Sequence, residues 1–375
     1  MVEFAAITLI LSLANLVYKP AFTVAMIVFA LAVGFFYYKN KVLPRVDIPK
    51  TLSYSLTIFF VMMFVCALFT GHIMSNFAGA FEQFYLAFPF FMLLSLQSLV
   101  DVRQEIKYSL TVVAVGQFCY MVYDYLVRKI PRPGGFWGYP NDSAEVLGLF
   151  LPFFMYLIIS EKNNAKKVFW ILVATADFLA LCMTKCRGEL LAIEIMFIPV
   201  GLWLIYRYSE EDILLGIAGA LVIVVAGVVL FDWRGNSDMH RIYVYKSAYN
   251  MWKDHFLCGA GFGEWNVVYN SMYRLKTEVQ GLIHAHNMYL MFLSGTGIIG
   301  TVVFLNIFVR MYRNFLSYVK VRRMYFLVGM VGMSIFLLHA VVDSAFSIRY
   351  VARCVWMMLA VYQIDFENRA GRGIL

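Results

Sequence analysis

Residues 51–69 read TLSYSLTIFFVMMFVCALF and contain no charged side chain. A helix needs roughly 20 such residues to cross the hydrocarbon core of a bilayer. The same apolar character extends through the 375-residue chain, in which 62% of the residues are hydrophobic and only 14% are charged. Soluble proteins carry about 25% charged residues, and disordered chains are poor in aromatic residues, which reach 17% here. The sequence therefore predicts an all-α polytopic membrane protein.

Measuring the apolar runs against that length predicts about twelve transmembrane helices. They lie near residues 3–18, 21–38, 51–69, 78–100, 105–126, 144–160, 168–184, 188–206, 212–230, 287–309, 324–342 and 350–366. No internal repeat divides them. We therefore expect a single integral membrane domain over residues 1–375.

The positive charge of the chain is explained by its membrane topology. If both ends are cytoplasmic, more than half of the 31 Lys and Arg residues fall in inner loops, as the positive-inside rule requires. The net charge of +8 therefore indicates contact with membrane lipids and not with nucleic acid. The remaining basic residues gather in a few outer segments, where we expect the function to lie.

One outer connection is long, residues 231–285 between the predicted ninth and tenth spans. A loop of that size in a compact protein usually has a function or a structure of its own. Asp238 is a plausible N-cap. It precedes apolar and aromatic side chains at helical spacing, namely Ile242, Tyr245, Tyr249 and Trp252. The pattern predicts an amphipathic helix at the membrane boundary, followed by a glycine-rich turn over residues 259–263.

Four outer clusters are candidates for chemistry. They are Arg128, Lys129 and Arg132 with residues 134–141; Lys185 to Gly188; Arg241 with Lys246; and His284 to Asn287. A guanidinium group stays charged and offers two parallel donors to phosphate oxygens. Arg187 and Arg241 therefore suit a diphosphate ligand. The alternative for each arginine is a membrane anchor at a helix end.

The histidines allow several interpretations. His286 can act as a general base near neutral pH, or it can serve as a helix cap. His284 and His286 look like half of a metal site. However, no third His or Cys lies at ligand spacing, and residues two apart on a helix point to different faces. We therefore expect no metal and no cofactor. His339 and Asp343, four residues apart, are predicted to share one helix face, where the carboxylate could orient the histidine or form a structural hydrogen bond.

The order of these clusters resembles the O-antigen ligase family. His286-Asn287, followed by nine residues and Gly297-Ile298-Ile299-Gly300, is similar to the H-[NSQ]-x9-G-x-x-G signature of that family. Residues 132–141 (RPGGFWGYPN) resemble its R-x-x-G-x-F-x-N-P-N segment, residues 185–188 (KCRG) its S-R-G turn, and residues 241–262 its R-x-x-x-W…G-x-G loop. The resemblance covers residues 130–345. The chain departs from the pattern with Lys185-Cys186 before the arginine and with Tyr245 in place of Trp.

The resemblance implies a GT-C-like, metal-independent, inverting glycosyltransferase in the bacterial cytoplasmic membrane, with its active site facing the periplasm. Its donor would be a glycan on undecaprenyl diphosphate, and its acceptor would be lipid A–core or another glycan. By this analogy Arg187 and Arg241 hold the diphosphate, and His286 activates the acceptor hydroxyl. Further substrate contacts would come from Arg132, Asn141, Lys185, Asn287 and Asp343. Gly259, Gly261, Gly297 and Gly300 would be structural.

Two other functions remain open at this stage. A Wzy-type polysaccharide polymerase shares the motifs and the donor chemistry but uses another lipid-linked repeat as the acceptor. A transporter or lipid flippase could have the same number of helices, and Asp177 within the predicted seventh span favours it. A transporter also predicts charges near mid-membrane and broken helices at matching places in two halves. Since the charges here gather at the outer boundary, the enzyme is preferred.

Overall fold

The computed structural model describes residues 19–41, 45–46, 48–99, 101–207, 236–275, 283–319 and 324–366. Within these ranges all regular secondary structure is helical. The predicted spans at residues 3–18 and 212–230 lie outside the described residues.

The α-helices follow the predicted spans closely. In chain order they are α1 (Lys19–Asn40), α2 (Lys50–Leu68), α3 (Ile73–Leu86), α4 (Phe88–Leu99), α5 (Arg103–Leu126), α6 (Pro140–Ser160), α7 (Asn164–Thr184), α8 (Arg187–Arg207), α9 (Asn236–Asp254), α10 (Trp265–Val268), α11 (Met288–Val319), α12 (Met324–His339) and α13 (Arg349–Gln363). Five described segments are long and apolar enough to cross a membrane, namely Lys50–Leu68, Ile73–Leu99, Pro140–Ser160, Asn164–Thr184 and Met288–Ser317. The chain is therefore a multi-pass membrane protein, and the total of twelve spans stays a prediction.

Two predicted spans contain interruptions. The span expected at 78–100 consists of α3 and α4, which meet at Ala87, two residues before Pro89. Proline has no N–H to donate and is accommodated in the first turn of a helix, which explains the break. In α11, Gly297 has φ 67° and ψ −170°, which lies outside the helical region. A left-handed φ of this kind is open mainly to glycine.

The structure divides into two compact units. The first unit comprises residues 1–113, 236–330 and 340–375, and the second comprises residues 114–235 and 331–339. The single domain expected for residues 1–375 stays a prediction.

In the first unit, a hydrophobic cluster forms within residues 244–291. The helix predicted there is present as α9, but it begins at Asn236, two residues before the proposed cap Asp238. Its inward face is Val244, Ala248 and Met251, which pack with Trp265, Tyr269, Ala285 and Met291. This inward face differs from the aromatic stripe that was predicted to lie on the membrane. Two members of that stripe, Ile242 and Tyr249, are exposed. α9 is thus anchored by small and aliphatic side chains.

In the second unit, the core joins α5, α6, α7, α8 and the end of α12. Its buried members include Met121, Leu147, Leu181, Cys186, Leu190, Val331 and Ile335. Cys186 is the residue directly before Arg187, so the turn that presents this arginine is part of the packed core. The position of that turn is therefore set by packing.

Candidate functional site

In the first unit, His286 lies beside Asp343. The His286 Nδ1 atom is 3.6 Å from the Asp343 Oδ1 atom, and the two side chains are 25% and 5% exposed. Asp343 also accepts a hydrogen bond of 2.8 Å from the Ser344 backbone N–H. The carboxylate is therefore fixed and buried, while the imidazole remains accessible.

The backbone of His286 is held in an uncommon conformation. Its φ is 47°, in the left-handed region that non-glycine residues seldom adopt. The Tyr245 hydroxyl donates a 2.9 Å hydrogen bond to the His286 carbonyl, and the Met288 N–H donates one of 2.8 Å to the Ala340 carbonyl. The Asn287 side chain accepts from the Leu290 N–H at 2.9 Å, which is the geometry of a helix N-cap. Asn287, predicted to contact substrate, thus begins α11.

His284 packs against His286, and its pKa is strongly shifted. The two rings are 4.2 Å apart between centroids in an edge-to-face arrangement. Burial, the neighbouring His286 and the positive charge of Arg241 lower the pKa of His284 to about 4, while Asp343 acts in the opposite direction. His284 is therefore neutral at physiological pH.

Three of the four predicted structural glycines belong to one contact in the first unit. The Ala260 and Gly261 N–H groups donate to the carbonyls of Ser294 and Gly295 at 2.8 and 3.0 Å, and Ile298 N–H donates to the Phe256 carbonyl at 3.0 Å. Gly259 and Gly261 have φ of 74° and 111°, and a Cβ at Gly297 would overlap the Leu257 carbonyl. Gly300 lies against the Thr296 side chain. The glycine-rich turn and Gly297 of the G-x-x-G motif are thus on the two sides of one close backbone approach.

In the second unit, the turn before α8 presents Arg187. Lys185 ends α7 in a left-handed conformation with φ 51°, and its side chain is exposed. The Thr184 hydroxyl accepts a 3.1 Å hydrogen bond from the Cys186 N–H. Arg187 is then the first residue of α8, and its side chain is half-buried.

Arg132 and Asn141 support that same turn. Arg132 Nε donates to the Thr184 carbonyl at 2.8 Å, and its terminal nitrogen donates to Asn141 Oδ1 at 3.0 Å. The segment that carries Arg132 is fixed in turn by Gln117, whose side chain accepts from the Phe136 N–H at 2.8 Å. These contacts give both residues a supporting role that the sequence alone did not reveal.

His339 lies at the centre of a buried cluster in the second unit. Its Nδ1 atom is 3.1 Å from Glu189 Oε2 and 3.7 Å from Glu145 Oε1, and all three side chains are at most 2% exposed. Its Nε2 atom is 3.5 Å from the Cys186 thiol. The predicted shared face with Asp343 is wrong, because α12 ends at His339. Glu145 was not a candidate from sequence, since nothing in its spacing linked it to a histidine far along the chain.

The comparison with known families agrees with these motifs. The family model Wzy_C, described as O-antigen ligase, matches residues 169–305. This range contains Arg187, Arg241, His286 and the four glycines, whereas Arg132, Asn141 and Asp343 lie outside it. No curated protein matches the chain. The chain is thus similar to the O-antigen ligase family over residues 169–305, in agreement with the resemblance of its ordered motifs.

Proposed function

We propose that this protein is a membrane glycosyltransferase that moves a glycan from undecaprenyl diphosphate to an acceptor hydroxyl, most specifically an O-antigen ligase acting on lipid A–core. The accessible His286 beside the buried Asp343 carries this proposal, together with the family match over residues 169–305. The match favours a ligase- or polymerase-type enzyme over a transporter. The site would face the periplasm of the bacterial inner membrane, where the lipid-linked donor is presented.

The His286–Asp343 pair suits general-base catalysis. A carboxylate near Nδ1 favours the neutral tautomer that carries its proton on Nδ1, which leaves the Nε2 lone pair free. Nε2 would accept the proton of the acceptor hydroxyl while its oxygen attacks the anomeric carbon of the donor sugar. A separation of 3.6 Å is longer than a direct hydrogen bond, and such contacts commonly tighten once substrate is bound. A single displacement inverts the anomeric configuration.

The leaving group requires cations rather than a second acid. As the glycosidic bond breaks, negative charge develops on the polyprenyl diphosphate, and preorganised cations in a water-poor site stabilise it. We assign Arg187 and Arg241 to this role, because guanidinium groups bind phosphate oxygens through two parallel donors. Lys185, exposed beside Arg187, would add charge at the same turn. No metal is required for these steps.

Replacing the arginines tests their assignment. Arg187→Ala and Arg241→Ala are each expected to abolish detectable transfer, and the lysine variants should recover only part of it because lysine keeps the charge but loses the planar pair of donors. Lys246→Ala, another basic residue on α9, is the matched control and should transfer normally. Near-wild-type transfer by both alanine variants would remove the diphosphate assignment.

An in vitro reaction with one purified lipid-linked donor tests the acceptor. With lipid A–core present, a ligase places glycan on lipid A–core and forms no ladder without it. A ladder formed from the donor alone would instead identify a polymerase. The reaction should survive a chelator, and loss of transfer with recovery on adding a divalent metal would contradict the metal-independent mechanism.

A further inference from the structure

Three side chains with metal-ligating atoms converge in the first unit. His284, His286 and Asp343 each offer one such atom, and these atoms all lie within 4.8 Å of one another. The His286 Nδ1 to Asp343 Oδ1 distance of 3.6 Å is close to the about 3.4 Å that separates neighbouring ligands of a tetrahedral Zn²⁺ with bonds near 2.1 Å. The fold has therefore assembled a third ligand that the spacing of the histidines did not supply.

The local environment favours a bound cation over a chance cluster. His286 Nδ1 is buried and makes no direct hydrogen bond to the described residues, and its 3.6 Å contact with Asp343 matches the spacing of two ligands on one ion. Both His284 and Asp343 are buried, and the backbone of His286 is fixed by the Tyr245 hydroxyl. The His286 side chain remains 25% exposed, which leaves a route for an ion and for a fourth, water ligand.

Binding of a cation requires one small change in the local contacts of His284. The His286 N–H lies 3.3 Å from His284 Nδ1, a long contact near the limit for a hydrogen bond. A metal that used this nitrogen would replace that contact with a much stronger bond. Two imidazoles and one carboxylate form a set of ligands typical of Zn²⁺ and its first-row neighbours.

We propose that His284, His286 and Asp343 form a binding site for a first-row divalent cation of the Zn²⁺ class, and that its occupancy blocks glycan transfer. The second half rests on the proposed function. A neutral imidazole carries one N–H, so a metal on Nδ1 moves that proton to Nε2, which then cannot accept a proton from the acceptor hydroxyl. The cation also occupies the carboxylate that orients the ring. It is therefore an inhibitor of this site and not a cofactor.

Cobalt titration of the purified, chelator-treated full-length protein tests the site without using activity. Wild-type protein should develop the intense visible absorption of four-coordinate Co²⁺, and Zn²⁺ should displace it. Since loss of an outer-shell partner alone typically costs 10–100-fold in affinity, His284→Ala should weaken binding at least about 100-fold. His255→Ala, which removes a histidine elsewhere in the same unit, should bind as the wild type does. Equal binding by wild type and His284→Ala would overturn the site.

Zinc titration of the transfer reaction tests the blocking effect. Wild-type transfer should fall as Zn²⁺ saturates the site and recover fully with chelator. His284→Ala, measured against its own rate without zinc, should keep that rate at the same Zn²⁺ concentration. Stimulation by Zn²⁺, or unchanged transfer at a concentration that the cobalt competition shows to be saturating, would overturn the blocking effect. If His286→Ala transfers normally, the proposed function fails, whereas the cobalt result still decides whether the metal site exists.

Discussion

Two histidines lie beside carboxylates in this chain, and they differ most in their access to solvent. His286 is 25% exposed and faces one carboxylate at 3.6 Å. His339 is 1% exposed and lies between Glu189 and Glu145, with the Cys186 thiol on its other ring nitrogen. A general base must reach its substrate, which His286 can do. The His339 cluster has no such access, so its effect must pass through the residues that it holds.

The His339 cluster holds the turn before α8 in place. Cys186 precedes Arg187 directly, and Glu189 follows it by two residues, so His339 contacts the chain on both sides of the arginine. Ionisable groups buried in a membrane protein are costly and commonly mark a function. We therefore propose His286 as the reactive histidine of one unit and His339 as a positioning histidine of the other.

Removing His339 should give the largest loss of stability. His339→Ala leaves Glu189 and Glu145 facing a cavity without the ring between them, and breaking a buried pair of this kind costs about 3–5 kcal/mol. Thermal unfolding in detergent measures the effect. His286→Ala is the control and should change the unfolding temperature little, because its side chain is partly exposed. If His339→Ala loses transfer but keeps the stability of the wild type, His339 and not His286 would be the reactive histidine.

Asp343→Asn should slow transfer by about 10–100-fold, the usual cost of losing a carboxylate that orients a histidine. The side chain keeps its shape, and its oxygen can still accept from the Ser344 N–H, so the unfolding temperature should not move. Steady-state rates at saturating donor measure the effect. A change in stability without a change in rate would mean that Asp343 resembles the glutamates of the buried cluster.

Gly148→Ala should disturb the His339 cluster without removing any of its members. A Cβ at Gly148 would overlap the Glu189 carboxylate, and overpacking of this kind costs about 1–3 kcal/mol. Gly71→Ala is the control, because a Cβ there meets nothing within 4 Å. Shortening the acid with Glu189→Asp should partly restore the stability of Gly148→Ala. If Gly148→Ala is as stable as the wild type, the Glu189 side chain can move away from His339 without a loss of stability.

Tyr245→Phe should have the smallest effect. It removes the hydroxyl that donates to the His286 carbonyl at 2.9 Å, and one such hydrogen bond contributes about 1 kcal/mol. We expect a lower unfolding temperature and a several-fold lower rate, since the left-handed backbone of His286 is less well held. Ile242→Ala, an exposed position on the same helix, is the control. Equal rates in both variants would show that α9 does not position His286.

The sequence predicted the helices well because a membrane span requires a long run of apolar residues. It also predicted functional roles for His286 and Arg187, since these residues form local motifs, and those roles stay predictions. The structural role predicted for Gly259, Gly261 and Gly297 agrees with their positive φ angles. It did not predict that Ala260 and Gly261 donate to Ser294 and Gly295, because that pairing joins distant segments.

The supporting contacts were beyond sequence reasoning for the same reason. Glu145 and His339 are nearly 200 residues apart, and only the packing of α6, α8 and α12 explains their contact. Arg132 was predicted to contact substrate, and that role stays a prediction. In the structure it also donates hydrogen bonds to Thr184 and Asn141 and so supports the turn before α8. A lone charged residue in a motif does not reveal whether it faces substrate or the protein.

The central claim, that His286 is the reactive base, is tested most directly by the single-turnover transfer rate of His286→Gln. Glutamine can form hydrogen bonds but cannot accept the proton of the acceptor hydroxyl. We predict a rate at least about 100-fold below that of the wild type, the usual minimum contribution of a general base, with an unchanged unfolding temperature. A rate within about threefold of the wild type in equally folded protein would contradict the account.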